Sequence, residues 1–200
     1  MPFRLAALRA GLELQPGTSP PVLQPIPDFA RSGKPQRKHD VVRAYLRLLG
    51  PATPKHVAEY LDATLKDVRA RWPDDAVEVD VAGERRWLLA ADLERLEAPE
   101  RSTRLLGPFD LFLQARDRPL LVDDPARIKA LWPVLGRPGA ILDGGEIAGI
   151  WRPRKSGRKL TVLLELWRRD TARLRNAIAL QAERLAAFRR IQLGDVRIDE

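Results

Sequence analysis

Gly139-Ala-Ile-Leu-Asp-Gly-Gly-Glu-Ile-Ala-Gly-Ile-Trp-Arg-Pro-Arg-Lys-Ser-Gly-Arg-Lys-Leu-Thr-Val-Leu-Leu-Glu-Leu-Trp167 holds two turn signals inside an apolar, partly β-branched stretch. Gly144-Gly145 predicts a hairpin turn and Ser156-Gly157 a second, so the segment reads as a three-stranded antiparallel meander. Between Trp151 and Leu160 stand Arg152, Arg154, Lys155, Arg158 and Lys159, with no acid among them. Like charges crowded at one turn repel unless a polyanion arrives, and the natural polyanion is a nucleic-acid backbone.

On either side of the meander the chain reads as helix and connector. Leu105-Leu-Gly-Pro-Phe-Asp-Leu-Phe-Leu113 is apolar and expected to be buried. Asp117 is expected to pair with its neighbours Arg116 and Arg118. Asp123 and Asp124 could suggest paired carboxylates for acid-base work. The stronger reading makes Asp124 the cap of a helix from Pro125 to Trp132, with proline at its first position. Asp170 is expected to cap the last helix, whose stripe of Leu174, Ile178, Leu185 and Phe188 would lie across the sheet.

Upstream, residues 38–89 read as a compact helical unit. Asp40 can cap a helix that ends at Gly50-Pro51, with Val41, Val42, Tyr45, Leu48 and Leu49 on one stripe. Thr53 and Pro54 open a second helix with Val57, Ala58, Tyr60 and Leu61 on its apolar face. A third runs from Leu65 to Trp72. Ala76 to Val81 and Arg85 to Leu89 then alternate as a hairpin around Ala82-Gly83-Glu84. Three helices and a hairpin make the winged-helix pattern. Its third helix would present Lys66, Arg69 and Arg71 to a duplex while Leu65 and Val68 pack inward. Asp67, Asp74 and Asp75 nearby weigh against phosphate contact, and winged helices also serve as protein-docking scaffolds.

At the N-terminus, residues 3–12 read as an amphipathic helix with Phe3, Leu5, Leu8 and Leu12 on its apolar face. A small hairpin follows around Pro16-Gly17-Thr18, then a basic linker up to His39. A helix and hairpin without preceding partners resemble the tail of another winged helix, and the apolar face needs cover.

The 200 residues carry a formal net charge of +8, with a sequence pI of about 10.4. That balance suits a nucleic-acid binder. Without cysteine, disulfides and thiolate metal sites are excluded. His39 and His56, the two histidines, do not stand in ligand-like spacing, so neither a metal nor a cofactor is expected. No apolar run approaches the roughly 20 residues of a membrane-spanning helix. Met1-Pro-Phe-Arg4 lacks the features of a secretory signal. The expected location is cytoplasmic.

Several motifs, in order, resemble the C-terminal half of AlkZ/YcaQ-like DNA glycosylases. They are Tyr45-Leu-Arg-Leu-Leu-Gly-Pro-Ala-Thr-Pro54, Leu106-Gly-Pro-Phe-Asp110, Arg116-Asp-Arg-Pro-Leu-Leu-Val122, Ala130-Leu-Trp132, Gly136-Arg-Pro-Gly139 and Gly149-Ile-Trp-Arg152. The resemblance implies tandem winged helices forming a basic surface for duplex DNA, with the hairpin at Arg154 to Arg158 facing it. It also implies excision of alkylated bases, including those in interstrand crosslinks. The family's catalytic Gln-x-Gln or Gln-x-Asp triplet positions the attacking water. It does not occur here: Gln15, Gln24, Gln36, Gln114, Gln181 and Gln192 all lack Gln or Asp two positions on. No catalytic residue is therefore carried over.

These readings give an α+β chain, a winged helix-turn-helix followed by a small antiparallel three-stranded sheet unit flanked by helices. Residues 1–37 are expected to hold a partial winged-helix remnant and the basic linker, 38–97 the winged helix, and 98–200 an α+β domain with the basic hairpin. The expected function is duplex-DNA binding without sequence preference, non-catalytic for this chain alone. Arg152, Arg154, Lys155, Arg158 and Lys159 are the principal phosphate contacts, and Lys66, Arg69 and Arg71 the secondary ones. One rival is a divergent glycosylase, active alone or completed by an N-terminal polypeptide. Another is a docking or regulatory protein that self-associates or binds a partner through the helix from Phe3 to Leu12.

Overall fold

Strand formation in the second half of the chain goes further than the meander. The computed structural model describes residues 10–30, 40–96, 102–115 and 117–198. It forms two compact units, Met1–Asp40 and Val41–Glu200. In the first, β1 (Leu12–Leu14) and β2 (Leu23–Pro25) pair antiparallel. Thr18 closes their connection, its hydroxyl donating to the Gln15 carbonyl at 2.9 Å and accepting from the Val22 amide at 3.1 Å. Residues 3–9 of the helix expected over 3–12 and most of the basic linker lie outside the described residues, whereas residues 10 and 11 form a turn and Leu12 opens β1.

The second unit opens with α1 (Val41–Leu49), α2 (Pro54–Leu61) and α3 (Leu65–Arg69). The hairpin of β3 (Ala76–Val81) and β4 (Glu84–Leu89) and a short α4 (Ala90–Leu93) follow. Thr53 caps α2 as expected, and reciprocally: its hydroxyl accepts from the His56 amide at 3.2 Å, and its own amide donates to His56 Nδ1 at 3.3 Å. The core joins Val42, Tyr45 and Leu46 of α1 to Ala52, Val57, Val68 and Leu89. This corrects the expected stripe, since Val41 and Leu48 are exposed and Leu46 is buried. Two overlapping apolar rows run along α1, and contact with α2 and β4 selects the row through 42, 45, 46 and 49. Leu65 is also exposed, and α3 ends at Arg69 rather than Trp72, leaving Val68 as its buried anchor.

β5 (Thr103–Leu106), β6 (Gly139–Asp143), β7 (Glu146–Ser156), β8 (Lys159–Leu166) and β9 (Gln192–Ile198) form one sheet in that order. The expected three strands are thus the centre of five, and β9 joins β8 in parallel. The register shift between Leu160 and Thr161 breaks the alternation of β9, which is why its sequence did not read as a strand. β5 has only four residues. Between β5 and β6 lie a 3-10 turn (Leu111–Gln114), α5 (Arg118–Leu121) and α6 (Pro125–Leu131).

Both faces of the sheet are covered. α7 (Ala172–Phe188) lays Leu174, Ile178, Ala182 and Ala186 on Ile141, Trp151, Leu160, Val162 and Leu164. The stripe differs from the expected one because alanines at every fourth position let the helix approach closely, leaving Phe188 exposed. On the other face Leu113, Val122, Leu131 and Trp132 pack on Ala140 and Ile150. Of the stretch 105–113 only Leu113 is fully buried, because the chain turns outward after Leu106 and exposes Phe109 and Leu111.

Three carboxylates find partners or roles that correct or sharpen the expectations. Asp117 pairs with Arg86 of β4, 31 residues away, a partner that the expected pairing with Arg116 and Arg118 did not include; Arg116 lies outside the described residues. Burial opposes the charge of Arg86, but the hydrogen bonds it donates to Asp117 and then Glu84 outweigh it and raise its pKa. Thr171, not Asp170, caps α7 by accepting from the Leu174 amide at 3.2 Å, while Asp170 holds Arg175. Asp124 does cap α6, accepting from the Ala126 amide at 2.7 Å and the Arg127 amide at 3.4 Å.

Candidate nucleic-acid interface

β7 outruns the strand beside it. Gly139, the first residue of β6, lies opposite Trp151, while residues 152–156 continue in register with residues 159–163 of β8. The ribbon is anchored at Trp151, whose indole is buried and donates to the Leu106 carbonyl at 2.8 Å. Gly139 leaves the space for that indole: a methyl there would overlap both Trp151 Nε1 and the Leu106 oxygen.

Register assigns the cations to faces. Residues directly opposite one another share a face, and successive residues alternate. Trp151 with Leu164, Pro153 with Val162 and Lys155 with Leu160 lie on the face that packs against α7. Arg152 with Leu163, Arg154 with Thr161 and Ser156 with Lys159 lie on the other. Arg152, Arg154, Lys155, Arg158 and Lys159 are all exposed. The structure thus brings the five expected residues together at the end of the sheet where β7 and β8 outrun β6 with β9 still paired to β8, but divides them between its two sides. Arg152 is also structural, since its Nη1 donates to the Gly136 carbonyl at 2.6 Å and ties the loop before β6 to the ribbon.

Two cations that did not stand out in the sequence join this cluster. α7 ends at Phe188, Arg190 turns the chain in the left-handed region (φ 53°), and the Gln192 amide donates to the Arg158 carbonyl at 3.0 Å. The exposed Arg189 and Arg190 therefore stand beside the ribbon's tip, at a helix C-terminus that favours positive charge. Only the parallel return of β9 places them there, so the sequence signal was no more than a basic pair at a helix end. The nearby acid is compensated: Asp195, level with Thr161, accepts from Arg197 Nε at 2.6 Å, and that bond lowers its pKa.

Lys66, Arg69 and Arg71 sit apart from the ribbon, on and just after α3, and are exposed. The acids that weighed against phosphate contact there are partly occupied. Thr64 and Asp67 hydrogen-bond each other at the start of α3, and Arg43 grips Asp75 with both terminal nitrogens, lowering its pKa. A cavity of about 170 Å³ between α1 and the segment 112–121 is mostly apolar. Its charged lining groups, Arg86 and Asp117, are bound to each other, and His56 is held in the Thr53 cap. Among the described residues no helix is long and apolar enough to cross a membrane.

A search of curated protein sequences found no match. Among solved structures, the fold is similar to that of the DNA glycosylase AlkZ from Streptomyces sahachiroi, with a TM-score of 0.71 and 22% sequence identity. The match covers 94% of this chain and 54% of that one, so the chain spans about half the length of the solved protein. A family model described as DNA glycosylase AlkZ-like matches residues 1–188, nearly the full length, and the chain belongs to that family.

Proposed function

We propose that the chain binds duplex DNA without sequence preference, through phosphate contacts made by the β7–β8 ribbon. The observation that carries this reading is the clustering of Arg154, Lys155, Arg158 and Lys159 at the exposed end of β7 and β8, beyond β6, with Arg189 and Arg190 beside their turn. Such a cluster, free of carboxylate from Arg152 to Lys159, attracts a polyanion and releases its counterions on contact. Residues 38–97 act in this reading as a winged helix, with Lys66, Arg69 and Arg71 as secondary contacts. Exposed cations on both faces of a rigid ribbon suit backbone contact, which carries no sequence information of its own.

Charge reversal tests the reading. Arg154→Glu/Lys155→Glu changes exposed side chains, so the variant should fold normally yet lose measurable affinity for an undamaged duplex. Unchanged affinity would remove the ribbon from the interface.

Family membership favours a second reading, excision of an alkylated base, since the related solved protein is a DNA glycosylase. Against catalysis by this chain alone, no Gln-x-Gln or Gln-x-Asp triplet occurs in its sequence. Incubation with duplex DNA carrying N7-alkylguanine, followed by detection of abasic sites, separates the two. Turnover above the spontaneous rate would establish the enzyme reading.

A further inference from the structure

We propose that Val134 and Leu135 form an apolar wedge that enters the base stack of duplex DNA held by the basic ribbon. This rests on the DNA-binding reading above and adds a contact to the bases themselves. Val134 is 96% exposed and Leu135 86%, although the loop carrying them is fastened on both sides. Before it, Trp132 is buried and its indole donates to the Leu113 carbonyl at 2.9 Å. After it, Pro138 is fully buried. Gly136 makes the tight turn between them at φ 66°, and its carbonyl accepts from Arg152. Two adjacent aliphatic side chains are therefore held out in water by an ordered loop. Folding has already fixed the backbone that carries them, so only their own rotamers remain to be ordered on binding.

The loop's place in the fold selects the partner. It leads into β6 at Gly139, opposite Trp151, so it lies at the sheet end from which the ribbon projects. The hydrogen bond from Arg152 sets it on the ribbon face that also carries Arg154 and Lys159. Arg152 and Arg154 are two residues apart on a strand, about 7 Å, or roughly two base steps of about 3.4 Å. A duplex whose phosphates meet Arg154 and Lys159 would present a groove to Val134 and Leu135. Aliphatic side chains inserted at such places part neighbouring bases and kink the helix. Cations around the tip match a polyanion, whereas an uncharged protein surface would leave them without countercharge.

The test uses the full chain and a duplex with a single 2-aminopurine, whose fluorescence rises when it is unstacked. Because binding has no sequence preference, the label is placed at each position in turn of a duplex about as long as the footprint. The wild type should raise the signal summed over that set several-fold. Val134→Ser/Leu135→Ser should keep the wild-type Tm and salt slope, bind about tenfold more weakly and lose the fluorescence rise, on the order expected for one lost wedge. Leu135→Met in the otherwise native loop should retain it. If the wild type binds with the expected salt slope but the signal never rises, or rises equally with the double serine variant, the wedge is refuted while DNA binding stands. If the wild type fails to bind duplex even at low salt, both readings fall together. Concentration-dependent self-association without DNA, abolished by the double serine change, would overturn the wedge in favour of a protein interface.

Discussion

Asp143 shows how far a single carboxylate can reach in this molecule. It is 4% exposed, accepts from the Thr103 hydroxyl at 2.7 Å, and binds Arg173 at 2.6 and 3.1 Å and Arg168 at 3.1 Å. The Arg173 hydrogen bonds, with help from Thr103 and Arg168, hold its pKa below the usual carboxylate value. A folded-state pKa below the unfolded one contributes stability above about pH 4, and that stability is lost as pH falls through the folded value. Asp143→Asn should therefore cost about 2 kcal/mol at neutral pH, the contribution of its charge-assisted hydrogen bonds, and flatten the acid limb of the Tm–pH curve. An unchanged acid limb would show that Asp143 contributes no linked stability. None of these pairings was legible in the sequence. Arg168 and Arg173 lie 25 and 30 residues from Asp143, as Arg86 lies 31 from Asp117, and each acid had basic residues nearer in the chain. The local caps at Thr53 and Asp124 were legible because their partners fall within three residues. Thr53→Ala should lower stability by about 1 kcal/mol.

The β7–β8 ribbon is the element on which the functional reading depends, and its glycine turns and basic run made it readable from sequence. What sets its direction was not readable. Gly139 admits the Trp151 indole, and the indole ties the ribbon's base to the Leu106 carbonyl of β5. Gly139→Ala should cost more than about 2 kcal/mol, because backbone and a buried ring must both shift. Thermal melting checks this, and a wild-type Tm would show that the site relaxes freely. The edge strands escaped notice for physical reasons: β5 is short, and β9 pairs with β8 through a register shift that spoils its alternation. α7 misled in another way, since its buried row relies on Ala182 and Ala186, whose small size lets the helix sit close while larger residues stay outside.

For the whole molecule, topology decides which charges act together. The ribbon, the loop before β6 and the end of α7 meet at one end of the sheet, because β6 begins there, β7 passes it and β9 returns parallel to β8. The basic balance of +8 and the run of cations at the second turn were visible in the sequence, but the placing of Arg189 and Arg190 beside that turn was not. Arg189 and Arg190 should therefore weigh in DNA binding as the ribbon does. Arg189→Gln/Arg190→Asn, with asparagine suited to the left-handed backbone at 190, should make the salt slope shallower by roughly 1 to 2 units. An unchanged slope would place both arginines outside the footprint.

The central claim is that the ribbon neutralises phosphates of duplex DNA, and fluorescence anisotropy on an undamaged duplex across a salt series tests it most directly. With about four or five phosphates engaged, log K should fall with log salt at a slope near −4, roughly two decades of affinity between 50 and 200 mM. The slope should be shallower by about 2 in Arg154→Ala/Lys155→Ala. An absence of binding at low salt, or the same slope in wild type and variant, would contradict the account.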